Sequence, residues 1–228
     1  MSAVQRVRFT EEMKGAIAFG AATHRDGWDE GIASSCEFMF HLTISVDDVE
    51  RFAADPDHTA PAVGWVRCPR IGDGKMPVEQ GWFNLFAPGF GDGRLTMRYR
   101  LWFRDVAGHP LTLTGYKDVG DDPGFDLWHD TTSLATDILA GHVPEAPRGP
   151  DERPVPDDPA LVRARGILVI RPGDFARQLT TFRGTTRGVT HFGAMFVAAL
   201  WRTYVGRTSS HQQAGSSSTA SGKNGTSP

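Results

Sequence analysis

The sequence has little of what most assignable chemistries need. It holds only two cysteines, Cys36 and Cys68, far apart and without paired spacing. That pattern fits buried free thiols in a reducing cytoplasm better than a disulfide framework, with a single bridge as the alternative. It has no excess of positive charge; the net charge is −3. A nucleic-acid binder would carry a basic stripe. It has no uninterrupted apolar run long enough to span a membrane, and the N-terminus, Met1-Ser2-Ala3-Val4-Gln5-Arg6, has no apolar signal core.

Recognised motifs are missing too. Gly89-Phe90-Gly91-Asp92-Gly93 lacks the third glycine and the following helix of a dinucleotide loop, and is expected to be a hairpin loop. Gly74-Lys75 is followed by Met76, where a phosphate loop needs Ser or Thr. There is no G-x-S-x-G elbow. The eight histidines never take helical zinc spacing, and Asp118, Asp121, Asp122 and Asp126 do not fit a calcium loop. The residues therefore point to no metal and no cofactor.

What is present is strand patterning. In Cys36 to Val46, Phe38, Phe40, Leu42, Ile44 and Val46 alternate with Glu37, Met39, His41, Thr43 and Ser45. This period of two marks a half-buried strand. Leu95 to Arg104 repeats it, with Leu95, Met97, Tyr99, Leu101 and Phe103 opposite Thr96, Arg98, Arg100, Trp102 and Arg104. After the turn Asp105 to Pro110, Leu111, Leu113 and Gly115 alternate with Thr112, Thr114 and Tyr116, which predicts a hairpin. Further strands are expected at Met13–Phe19, Ala62–Cys68, Gly81–Phe86, Phe125–Ile138 and Arg163–Ile170. About eight such strands predict a mainly β chain, an antiparallel calycin- or lipocalin-like barrel, with a two-sheet sandwich as the alternative.

Helices are expected at Val46–Ala53, from Pro172, and over Val189–Val205 near the C-terminus. The last is apolar around most of its circumference, as in a helix docked on a core. The tail after Gly206 is almost devoid of apolar residues and is expected to be disordered. The domain reading is one barrel over residues 1–206 and a tail over 207–228. Gly141 to Pro159, rich in Pro and acids, reads as a surface loop.

The densest polar chemistry lies in Asp121 to Thr132. His129 shares a strand face with Phe125, Leu127 and Thr131, whereas Asp126, Trp128 and Asp130 share the other. His129 is either a proton-transfer group in a pocket or a hydrogen-bonded core histidine. Tyr99 is either a pocket hydroxyl or a barrel-filling aromatic whose hydroxyl reaches a backbone partner. Trp82, Asn84 and Phe86 share one face, and a buried Asn84 would need partners. Glu37 and His41 share a face that reads as solvent. Arg98, Arg100 and Arg104 read as a solvated outer stripe or, alternatively, an anion contact.

Several blocks carry a resemblance. Phe9-Thr10-Glu11-Glu12-Met13-Lys14-Gly15, Phe83-Asn84-Leu85-Phe86, Met97-Arg98-Tyr99-Arg100, the Asp121–Thr132 run, Arg165-Gly166-Ile167-Leu168 and Asp174 to Thr181 resemble an accessory domain of actinobacterial and other bacterial proteins. That domain accompanies cholesterol-oxidase-like flavoproteins of the glucose–methanol–choline class. The chain has no flavin-binding segment, so the oxidase chemistry does not transfer. The resemblance implies a setting in bacterial lipid or secondary metabolism, with sterol-, terpenoid- or polyketide-like molecules.

The expected function is a barrel that binds an apolar small molecule, with a flavoprotein oxidoreductase as a candidate partner. A cofactor-independent isomerase or cyclase is the alternative, since confinement and a few hydrogen-bond donors can carry such chemistry. It would use Tyr99 and His129 as catalytic groups. The expected ligand-binding residues are Trp82, Asn84, Met97, Tyr116, Asp126 and Trp128. A third reading is an interaction domain docking through the Val189–Val205 helix.

Overall fold

The structure, a computed structural model, describes residues 5–89, 95–119, 133–145, 157–170 and 180–205. The tail after Gly206 and the expected helix from Pro172 lie outside these residues, and so does all of Asp121–Thr132.

The alternation seen in the sequence produces strands where it is strongest. The chain runs β1 (Val7–Phe19), α1 (His24–Ala33), β2 (Glu37–Val46), α2 (Val49–Ala54), β3 (Thr59–Arg67), β4 (Met76–Pro77) and β5 (Gln80–Pro88). It continues as β6 (Leu95–Arg104), β7 (Pro110–Val119), β8 (Ser133–Ala140), β9 (Val162–Val169), β10 (Arg183–Gly184) and α3 (Thr186–Val205). Each wall strand pairs antiparallel with its neighbour in the order β1-β2-β3-β5-β6-β7-β8-β9. β9 then returns to β1, from Lys14 opposite Val169 to Phe19 opposite Ala164. That pairing closes an eight-stranded calycin-like barrel and decides against the sandwich. β1 makes closure possible by its length. Its thirteen residues pair with β2 along one edge and with β10 and then β9 along the other.

The inward set is the apolar set. Phe38, Phe40, Leu42 and Ile44 from β2, and Leu101 and Phe103 from β6, have no exposed surface. At one end of the barrel, α2 and α3 add an aromatic plug. Phe9 stacks on Phe182 with ring centroids 5.0 Å apart, and Phe192 lies 5.9 Å from both Phe9 and Phe52. The first turns of α3 therefore dock on their own barrel through Val189, Phe192 and Met195.

One helix was not among the expected elements, and two expectations are corrected. α1 gives no signal in the sequence, because His24–Ala33 has no apolar period and two internal glycines. Those glycines lie against the wall: Gly27 faces the carbonyl of Arg165 and Gly31 faces Ile17. Phe86 does not share a face with Trp82 and Asn84. The β5–β6 register slips between Asn84 and Ala87, and Phe86 turns inward at φ +50°.

Two of the three arginines in the stripe are not solvated either, and make the anion contact that was the alternative. Arg98 binds Glu145 and, at 3.2 Å, Asp57. Arg100 holds Asp157 through contacts of 3.0 and 3.1 Å and donates to the Val143 carbonyl. Trp102 donates to that same carbonyl and stacks on His142. The two described ends of the Gly141–Pro159 loop are thus strapped to β6. Arg104 stays half-exposed beside Glu79.

Candidate functional site

Among the described residues, a cluster of three polar side chains breaks the apolar lining of the wall, while a fourth inward polar residue, Thr136, spends its hydroxyl on the Leu134 carbonyl. β1 projects Val7, Phe9, Glu11 and Met13 inward, and Glu11 is only 3 % exposed. β6 projects Met97, Tyr99 and Leu101. β7 projects Leu113, Gly115 and Lys117, and Lys117 is 2 % exposed. The three polar groups converge. Tyr99 Oη donates to Glu11 Oε2 at 2.7 Å. Lys117 Nζ donates to Glu11 Oε1 at 3.2 Å and reaches Tyr99 Oη at 3.5 Å. The ammonium also lies 5.3 Å from the centre of the Tyr99 ring.

The surroundings are apolar. Phe40 and Phe83 lie 5.5 and 5.0 Å from Tyr99, ring to ring, and Phe9 links Phe83 to the plug. Met13 flanks Glu11 on β1, and Met97 stands opposite Lys117 across the β6–β7 ladder. Burial, reinforced by the Glu11 carboxylate it faces, pushes the Tyr99 hydroxyl well above its ordinary range. Tyr99 therefore holds its proton and donates it to Glu11.

This raised value has a measurable sign. The folded chain keeps the Tyr99 proton at a pH where the unfolded chain releases it. Its contribution to stability is complete below the ordinary phenol value of about 10 and is lost as pH rises further. Between about pH 9 and 11, wild type should lose more urea resistance than Tyr99→Phe. Equal losses in the two proteins would show that Tyr99 is not the group titrating.

The residues expected from sequence are only partly brought together. Tyr99 and Met97 lie inside, next to the charged pair. Trp82 lies on the outer face, half-buried, edge-on to Trp102 at 5.1 Å. Asn84 is buried on the outer side and donates to the Asp57 carbonyl and the Thr59 hydroxyl. Its polar need is met within the wall rather than in a pocket. Tyr116 also faces outward, edge-on to His24. Asp126, Trp128 and His129 lie outside the described residues. The strands their segment joins, β7 and β8, end and begin at the same end of the barrel.

Glu11 and Lys117 were not read from the sequence as site residues. Their signal is a charge on the apolar side of an alternating run. Starting β1 at Met13 hid Glu11, and stopping β7 at Tyr116 left Lys117 unassigned.

Outside the barrel, a cleft of about 620 Å³ lies between α2 and the β2–β3 edge, lined among others by Asp48, Arg51, Phe52 and Asp55. Its acids have local work. Asp48 caps α2, and Asp55 accepts from the backbone of Asp57 and Thr59. Among the described residues, no group of three or more His, Cys, Asp or Glu is placed to hold a metal ion. Cys36 and Cys68 are free and buried, and burial pushes the Cys68 thiol up to about 12. That marks an inert thiol rather than a nucleophile. No described helix is long and apolar enough to cross a membrane.

No protein family, curated protein or solved structure matches this chain.

Proposed function

We propose that this protein binds one small, mostly apolar molecule inside the barrel, with the polar end of the guest at Glu11, Tyr99 and Lys117. The observation that carries this reading is the burial of a carboxylate, an ammonium and a phenol against one another in an oily interior. A buried ion pair is weak as a stabiliser, because desolvation cancels much of its attraction. Ionisable groups gathered in an apolar site are instead typical of working sites. Met13 and Met97 border the three groups, and unbranched thioether side chains repack at low cost to admit a guest.

The resemblance supplies the chemical class: a sterol-, terpenoid- or polyketide-like skeleton. A separate flavoprotein oxidoreductase is the matching partner, in bacterial lipid or secondary metabolism and in the cytoplasm. The buried Tyr99–Glu11 hydrogen bond favours a second reading, a cofactor-independent isomerase or cyclase. There Glu11 would move the proton and Tyr99 would hold the developing oxyanion.

A thermal-shift panel of steroid ketones, terpenoid alcohols and aromatic polyketides tests the binding reading. At least one class should raise the melting temperature of wild type. The shift should vanish in a variant carrying Glu11→Leu, Tyr99→Phe and Lys117→Met together. No shift with any class, or the same shift in that variant, would remove the barrel interior as the site.

A further inference from the structure

Resting on this barrel reading, we infer that Lys117 joins its guest covalently: the guest carries an aldehyde or ketone, and the lysine condenses with it to an iminium ion. Lys117 is the one lysine that the described barrel takes into its interior. The others are Lys14, whose side chain is a quarter exposed beside Glu12, Lys75, which lies over Trp65, and Lys223. Its ammonium has three donors. Among the described residues they meet two oxygens, one on Glu11 and one on Tyr99.

Those two groups are what the condensation requires. Glu11, 3.2 Å from Nζ, takes a proton from the ammonium and frees its lone pair. The amine attacks the carbonyl carbon, forming the C–N bond as the carbonyl π bond breaks. The attacking nitrogen, now positively charged, passes one of its protons to that oxygen, which becomes a hydroxyl, with Tyr99 Oη placed to hydrogen-bond it. Return of the proton from Glu11 releases that oxygen as water and leaves the C=N⁺ bond. The balance is ammonium plus carbonyl giving iminium plus water, with no oxidant or reductant. The positive charge beside Glu11 is the same before and after, so the carboxylate serves as counter-ion to both. The apolar surroundings keep bulk water from reversing the step. A lysine held in an apolar site is the usual form of an imine-forming nucleophile. A guest that only accepts hydrogen bonds would need no ammonium that a neutral donor could not replace.

The test incubates the 228-residue chain with citronellal, a terpenoid aldehyde, and sodium cyanoborohydride, and maps the modified lysines by peptide mass. Citronellol, the matching alcohol, cannot form an imine and serves as competitor. One citronellyl group per chain should appear, on Lys117, at aldehyde concentrations that leave Lys14, Lys75 and Lys223 unmodified. Excess citronellol should suppress it. Lys117→Arg keeps the charge beside Glu11 and should lose the adduct while retaining its circular dichroism. Labelling of the other lysines at least as fast as Lys117 would overturn the inference. If calorimetry shows citronellal and citronellol binding equally and Lys117 stays unmodified, the covalent step is wrong and the binding barrel stands. If neither molecule binds and Lys117 stays unmodified, both fail for terpenoid guests.

Discussion

Replacing Lys117 by Met should lower the free energy of unfolding by about 3–5 kcal/mol, a large share of the stability of a single domain. The substitution keeps the volume and the stem of the side chain. What it removes is the cation that neutralises Glu11, which is 3 % exposed. The carboxylate would then keep only the Tyr99 hydrogen bond in an interior lined by Phe40, Phe83 and Met97. A lone buried charge of this kind must be rehydrated or protonated at the expense of folding. Removing all three polar groups together, with Glu11→Leu, Tyr99→Phe and Lys117→Met, should recover most of the loss and could exceed wild type. Urea unfolding of the single and triple variants measures both quantities. A triple variant as stable as wild type would show that the three groups are dispensable for folding. A loss below about 1 kcal/mol in Lys117→Met would mean that water already solvates the pair.

Gly31→Ala should destabilise the chain by about 3 kcal/mol, against the gain of up to about 1 kcal/mol that alanine brings to a helix interior. A methyl group at Gly31 would come within 2.6 Å of the Ile17 carbonyl oxygen and 2.7 Å of its amide nitrogen. Both are backbone atoms of the wall and cannot rotate away. The helix would have to lift, also exposing the face at Gly27. Ile32→Ala is the control: Ile32 is 59 % exposed, so the same helix should tolerate its loss with little change. Urea unfolding of the two variants settles the comparison, and hydrogen exchange in α1 locates the effect. A Gly31→Ala protein more stable than wild type would show that α1 is not seated on the wall as described.

The barrel was legible from sequence because most of its wall strands are buried on one face only. In β2 and β6 every second residue is apolar, so periodicity alone names the strand and its inner face. Tyr99 and Met97 were placed inside by that rule. The same rule failed at its exceptions. At β5 the bulge after Asn84 ends the alternation. In α1 the contact is made by glycine, which carries no hydropathy signal. On β6 the outward arginines look solvated in a pattern that counts only charge, yet Asp57, Glu145 and Asp157 come from distant segments to cover them.

The sequence by itself determined the existence of most wall strands, the inward faces of β2 and β6 and the antiparallel class, because side-chain alternation is a local property of an extended backbone. It also carried the presence of each charged residue. Only the tertiary structure decided that β9 returns to β1 and closes the sheet, since pairing between strands so distant in the chain leaves no local signature. The same long-range closure decided the site. Glu11 meets Tyr99 and Lys117 across separations of 88 and 106 residues. A charge on an apolar face becomes a partnered group only when the barrel brings its counter-charge to it.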